Sequence, residues 1–113
     1  MKYDIITIGS AVRDVFVVSK EFKLFPSEKF ITGVGECVAL GTKIDLDEMV
    51  MATGGGATNA AVTFGHLGFK TAAIARVGQD YSGAEIIGEL RNCHVDSSLI
   101  RVMTGGQGRP SKK

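Results

Sequence analysis

The residues best placed to do chemistry stand together at Gly54-Gly55-Gly56-Ala57-Thr58-Asn59, directly before a helical pattern. Three successive glycines clear a stretch of backbone of Cβ atoms. The start of a helix adds N–H groups without intrahelical partners and the positive end of the helix dipole. Such a place can hold a polar ligand against the main chain. The same residues also fit a tight turn that packs a helix onto a sheet, and the triple glycine alone does not choose between the two.

Other chemistry-bearing residues have plain readings when taken singly. Asp14 reads as a loop or capping aspartate and Asn59 as a first-turn helix residue. Asp80 reads as a turn residue next to Gly78 and Ser82. Cys37 and Cys93 stand far apart without CxxC spacing, which indicates neither a disulfide framework nor a zinc site; free thiols that pack are the expectation. His66 points away from the apolar stripe of its predicted helix, and His94 follows a helix end, where an imidazolium is favourable, so both are expected at the surface. No residue is assigned a catalytic or metal-binding role.

The elements that must position the glycine run follow from hydrophobic pattern. Asp4 to Gly9 form a short β-rich run that delivers the chain into a loop over Ser10 to Asp14. From 15 to 53 the apolar pattern is broken. Pieces such as Lys43-Ile44-Asp45-Leu46-Asp47 alternate between apolar and charged, which predicts a half-exposed β excursion. Thr58 to Leu67 place Ala60, Ala61, Phe64 and Leu67 on one helical face, with Gly68 as the stop.

Thr71 to Val77 then read as a buried strand. The Ser82-x-x-Glu85 spacing predicts the start of a second helix, ended near Asn92. Val95 to Val102 resume β character, and the tail 104–113 loses all apolar content and is expected to be disordered. Helices alternating with buried strands define an α/β layer structure, with the 15–53 excursion attached as a flap.

Composition narrows the function classes. In 113 residues, 44% hydrophobic content suffices for one small core. The formal charge of +1 gives no field that would draw in nucleic acid or an anionic membrane, so neither partner is expected. The amino-terminal apolar run, Ile5 to Ile8, is too brief for a signal or a membrane span, which leads to a cytoplasmic expectation.

The wider spacing discriminates further. Gly54-Gly55, Ala57, Asn59, Ala61, Gly68 and Gly78 reproduce at every fixed position the first signature of the ribokinase (PfkB) family of carbohydrate kinases. Gly9-Ser10 with Asp14 resembles the family's first-strand motif, and Val77-Gly78-Gln79-Asp80 with Gly83 resembles its VGxDxxG turn. The resemblance covers most of residues 3 to 102. It implies a ribokinase-like α/β sheet with helices on both faces plus a small β lid, the 15–53 excursion, present here as its amino-terminal part.

The resemblance further implies that Asp14 and Asn59 hydrogen-bond the hydroxyls of a sugar or nucleoside, while Gly54, Gly55 and Gly56 admit it to the backbone. The residue types suit that role: a carboxylate accepts from two adjacent hydroxyls, and an amide both donates and accepts. Both are binders, not catalysts. ATP and Mg2+ are implied for an intact family member, with no strong binding expected of this segment. Both a monomer and a homodimer paired through the lid are consistent with the family.

Such kinases use a late G-A-G-D-type motif that supplies a base and an anion-stabilising helix start, and no such motif occurs here. Gly105-Gly106-Gln107-Gly108 is followed by Arg109-Pro110 rather than Asp, and it departs from the family's P-T-G lid strand. The expectation is a chain that binds substrate, is inactive alone and is marginally stable, because strand edges and helix faces lack later partners. The principal rival is a non-catalytic sugar-binding or assembly module. A dinucleotide-binding fold ranks below both, because the segment before Gly54 is too charged for a central buried strand and Asn59 replaces the third glycine.

Overall fold

The computed structural model describes residues 2–104. The chain divides into two compact units, one built from the residues up to Asp14 together with those from Ala52 onward, the other from Val15–Met51.

The first unit is a parallel α/β layer. Strand β1 (Ile5–Ile8) is too apolar and β-branched to stay in solvent along its whole length, and it pairs in parallel with β6 (Thr71–Ile74), Ile5 opposite Thr71 through Ile8 opposite Ile74. The order β1-β6-β8 is completed by β8 (Val95–Asp96), also parallel. Parallel neighbours require crossovers, and the helices supply them: α1 (Gly56–His66) precedes β6, and α2 (Tyr81–Asn92) precedes β8. A second parallel pair, β7 (Arg76–Gly78) with β9 (Arg101–Met103), is extended at its ends by bonds from Arg101 N to Ala75 O at 2.9 Å and from Gln79 N to Met103 O at 2.9 Å. The single strand expected over 71–77 is thus interrupted at Ala75, and that expected over 95–102 is broken by the turn that bonds Ile100 N to Ser97 O.

Both helices share one core cluster with the sheet, made of Ala61, Ala73, Val77, Ile86, Leu90, Val95 and Ile100. They therefore lie on the same face. On the opposite face, register places Ile6 and Ile8 beside Ala72 and Ile74, and Ile8 is 76% exposed. The helix layer expected on that face is not supplied by the described residues. Tyr3 donates a hydrogen bond to Asp96, which is paired with Ala72, and so ties the start of β1 to β8.

Helix α1 begins two residues earlier than predicted, and its buried stripe is Ala57, Thr58, Ala61 and Gly65 rather than Ala60, Ala61, Phe64 and Leu67. Small side chains win the inner face because they let the helix axis approach a sheet surface of threonine and alanine. Leu67 is left outside, and Phe64 is half-buried with its ring edge-on to Phe69 at 6.0 Å. Helix α2 is capped by Asp80, whose carboxylate accepts from Gly83 N at 2.8 Å, so the cap lies two residues before the predicted Ser82. The left-handed residue that turns the chain after α2 is His94 (φ 63°), a position usually given to glycine or asparagine.

Within the Val15–Met51 unit, β3 (Lys23–Pro26) and β4 (Val34–Cys37) form an antiparallel hairpin whose loop packs the Phe30 ring over Gly35. Strands β2 (Val12–Val18) and β5 (Glu48–Gly54) pair and carry the chain out of the first unit and back. Val12 to Asp14 are accordingly strand, not the predicted loop. The alternating piece 43–47 is not a strand, because its oxygens are taken by the residues just after β2: Ser19 Oγ donates to Asp45 O at 2.6 Å, and Lys20 N donates to Asp47 Oδ2 at 2.8 Å. No residue of this unit is buried. Among the described residues no helix is long and apolar enough to cross a membrane. The tail expectation for 105–113 lies outside the described residues.

Two glycines inside helices make the packing testable. A Cβ on Gly65 would meet Cys93 O at 2.6 Å and Val95 Cγ2 at 3.2 Å, whereas one on Gly88 would meet nothing within 4 Å. Gly65→Ala is expected to destabilise by about 1–3 kcal/mol through overpacking against backbone. Gly88→Ala is expected to stabilise by up to about 1 kcal/mol through helix propensity. Urea denaturation of the two variants checks the opposite signs.

Candidate functional site

The site grows from two loops that meet. The first leaves β1 through Gly9-Ser10-Ala11; the second joins β5 to α1 through Gly54 and Gly55. Ser10 binds them: its Oγ accepts from Gly56 N at 3.0 Å and its carbonyl accepts from Ala57 N at 3.1 Å. Two of the helix's first N–H groups, open to a ligand on the sequence reading, are therefore satisfied inside the chain. Gly55 has φ 103° and serves as N-cap without a side-chain bond, and a Cβ there would collide with the Ser10 carbonyl and approach Ala11 Cα to 3.1 Å. Glycine is required at this position on both counts. Thr58 Oγ1 closes the turn by donating to the carbonyls of Gly54 and Gly55.

The sequence-derived residues fall into place unequally. Asp14, half-buried on β2, lies over Gly54, where any Cβ would run into its carboxylate. Gly54 is buried beneath it, while Gly56 is exposed with open space around its missing side chain. Asn59 is exposed on the first turn of α1, and its own N–H bonds Gly55 O at 2.9 Å. It lines a cavity of about 410 Å³ with Thr53, Thr58, Val62, Thr63, Glu89, Leu90 and Cys93. Asp14 and Gly54 are thus brought together directly, Gly55 and Gly56 are joined to them through Ser10, and Asn59 opens into the neighbouring cavity.

Sequence reasoning missed a charged network under these groups. Arg13 Nη1 donates to Thr53 Oγ1 at 3.0 Å and to Glu89 Oε1 at 2.6 Å, and Nη2 lies 3.8 Å from Glu85 Oε2. Its side chain is 12% exposed, and its Nε is buried without a partner. The available signal was the four-residue spacing of Glu85 and Glu89, which puts two carboxylates on one helical face. The Thr53 hydroxyl and then the Arg13 guanidinium hold the Glu89 carboxyl below its ordinary value.

The dinucleotide reading fails on topology. Strand β5, which precedes the glycines, pairs with β2 rather than joining the β1-β6-β8 sheet, and its first four residues are exposed. Asp80, the candidate ribose-binding acid, is occupied as the α2 cap. No group of three His, Cys, Asp or Glu residues poised for a metal ion occurs among the described residues.

A parallel α/β layer whose glycine turn precedes a helix and carries a carboxylate on a strand leading to a β excursion defines a class, the ribokinase-like proteins. The pfkB family carbohydrate kinase profile matches residues 4–109, and the chain belongs to that family. Its fold is similar to that of Arabidopsis thaliana ribokinase complexed with ribose and ATP, at 23% identity and a TM-score of 0.70 over 93% of this chain. It is likewise similar to ribokinase from Cryptococcus neoformans in complex with ADP, at 18% identity and a TM-score of 0.63 over 88% of this chain. An uncharacterized sugar kinase from Pyrococcus horikoshii in complex with ATP matches at 27% identity and a TM-score of 0.57 over 87% of this chain. This chain spans 30%, 26% and 26% of those three chains, respectively.

Because the folded Glu89 carboxyl titrates below its ordinary value near 4.5, its contribution to stability is complete above that value and is lost as pH falls through the folded one. The effect is modest, since the side chain is 42% exposed and solvent screens it. Asp96, lowered by the Tyr3 hydrogen bond, adds to the same acid limb. The stability gap between wild type and Glu89→Gln is expected to narrow from roughly pH 5 downward. Thermal melts from neutral to acid pH check this, and a gap unchanged at the acid end counts against it.

Proposed function

We propose that this chain supplies the acceptor-binding part of an ATP-dependent kinase that phosphorylates a hydroxyl of a sugar or nucleoside. The observation that carries the reading is the Asp14 carboxylate held over Gly54 beside the Ser10–Gly55 contact, one turn of backbone from Asn59. A carboxylate and an amide so presented bind vicinal hydroxyls and orient one of them, without offering a nucleophile. Exposed Gly56 leaves room for a polyol to reach the backbone.

The phosphoryl donor is ATP with Mg2+ in this reading, and the described residues do not fit either. The first N–H groups of α1 are engaged by Ser10, and the paired carboxylates Glu85 and Glu89 are engaged by Arg13. The donor-binding and base functions belong to other parts of the kinase fold. The excursion Val15–Met51 serves as the lid element. A cytoplasmic setting goes with this chemistry, because ATP and the free thiols of Cys37 and Cys93 suit a reducing compartment.

A second reading, a non-catalytic sugar-binding or assembly module, draws support from the exposed apolar side chains of the excursion. Leu24 is 72% and Leu40 103% exposed, a surface that suits pairing with a second copy. The two readings share the polyol site and differ in turnover.

Calorimetric titration of the chain with D-ribose, D-fructose and adenosine tests the shared part. One of these is expected to bind, with Asp14→Asn and Asn59→Ala each weakening it at least about tenfold, the loss of roughly one good hydrogen bond to a charged or amide group. No binding of any polyol would sink the reading. ADP release on adding ATP and Mg2+ would show that the donor site is present in the chain after all.

A further inference from the structure

Arg13 stands at an unusual place. It is an ionic side chain in the stem strand β2, immediately before Asp14, and successive side chains of a strand point to opposite faces. Asp14 lies over Gly54, and Arg13 is turned to α2. One guanidinium nitrogen reaches Thr53, the residue before Gly54, and Glu89 on α2, so a single group fastens β2, β5 and α2 to one another. Thr53 and Glu89 are also wall residues of the cavity that Asn59 lines. The network therefore touches the neighbours of both candidate polyol binders without touching either.

Stability alone does not account for it. A pair whose carboxylates are 38% and 42% exposed adds little, and here the Arg13 Nε is left buried without a partner, a further cost. What the network does supply is a tie between the paired stem strands and α2 beside Asp14 and Gly54.

We propose that Arg13 is a positioning residue for polyol binding: its bonds to Thr53 and Glu89 fix the stem so that the Asp14 carboxylate is held over Gly54. The proposal rests on the reading of Asp14 as a polyol binder. It extends that reading to a residue that never meets the ligand.

Arg13→Met is the direct probe. Methionine fills the stem, and Glu89, partly exposed, can be solvated when its partner is gone, so the fold is expected to survive. In nuclear magnetic resonance spectra the amide signals of Asp14, Gly54 and Gly55 are expected to shift and broaden, while those of Ala73, Val77 and Ile86 in the core stay in place. Affinity for whichever of D-ribose, D-fructose or adenosine the wild type binds is expected to fall at least about tenfold.

Arg13→Lys keeps the charge but not the forked geometry, and is expected to recover part of the affinity. If Arg13→Met does not fold, Arg13→Lys and Glu89→Gln carry the same comparison, each with the stem amide signals displaced and the core signals unchanged. Stem signals and affinity equal to wild type in a folded variant would overturn the proposal. Wild-type protein that binds none of the three polyols would instead overturn the polyol reading, and the stem amide signals would still decide whether Arg13 sets the geometry at Gly54.

Discussion

The approach of the Ser10 carbonyl to Gly55 is the contact on which the rest of the site is built. It brings the loop after β1 against the turn before α1, and it is possible only because Gly55 has no Cβ and takes a positive φ. From it follow the anchoring of α1 by two bonds to Ser10 and the closure of the turn by Thr58. A helix start usually needs a side-chain cap. Here a neighbouring loop does that work, so the geometry of the glycine turn and the attachment of the helix are one constraint.

Hydrophobic pattern carried much of the architecture because the parallel strands β1 and β6 are short and largely apolar. Ile5–Ile8 and Thr71–Ile74 were legible for that reason, as were both helices, whose apolar positions recur with helical spacing. The glycine run was legible from its spacing to Asn59, Gly68 and Gly78. Where pattern misled, a contact distant in sequence or the closeness of packing had won. The alternation over 43–47 looks like a strand, but the side chains and amides of the turn at Ser19–Lys20 bond its backbone and side-chain oxygens instead. The inner face of α1 departs from its most apolar stripe because the sheet accepts alanine and glycine where phenylalanine and leucine would hold the helix away.

The Arg13 network was illegible for a different reason. Its partners lie 40 and 76 positions away, and nothing local to Arg13 marks it as other than a polar interruption in a strand. Such a group acquires meaning only when the crossover through α2 returns Glu85 and Glu89 to the stem. The opposite case is Asp80, whose place two residues after Gly78 and three before Gly83 explains it locally, as a helix cap with a bond to Gly83. Residues that act through sequence neighbours can be read from a string, and those that act across a crossover cannot.

The excursion begins one residue after Asp14 and ends one residue before Ala52, and the core cluster draws no member from it. Its length and composition are therefore nearly free variables for the folding of the parallel layer: closing a loop twice as long costs only about 0.6 kcal/mol more. A family built on this plan can lengthen, shorten or replace the segment while the glycine turn stays fixed. The survival of the parallel core is thereby uncoupled from the make-up of the excursion, and chimeras that exchange the segment at Asp14 and Ala52 inherit an intact core.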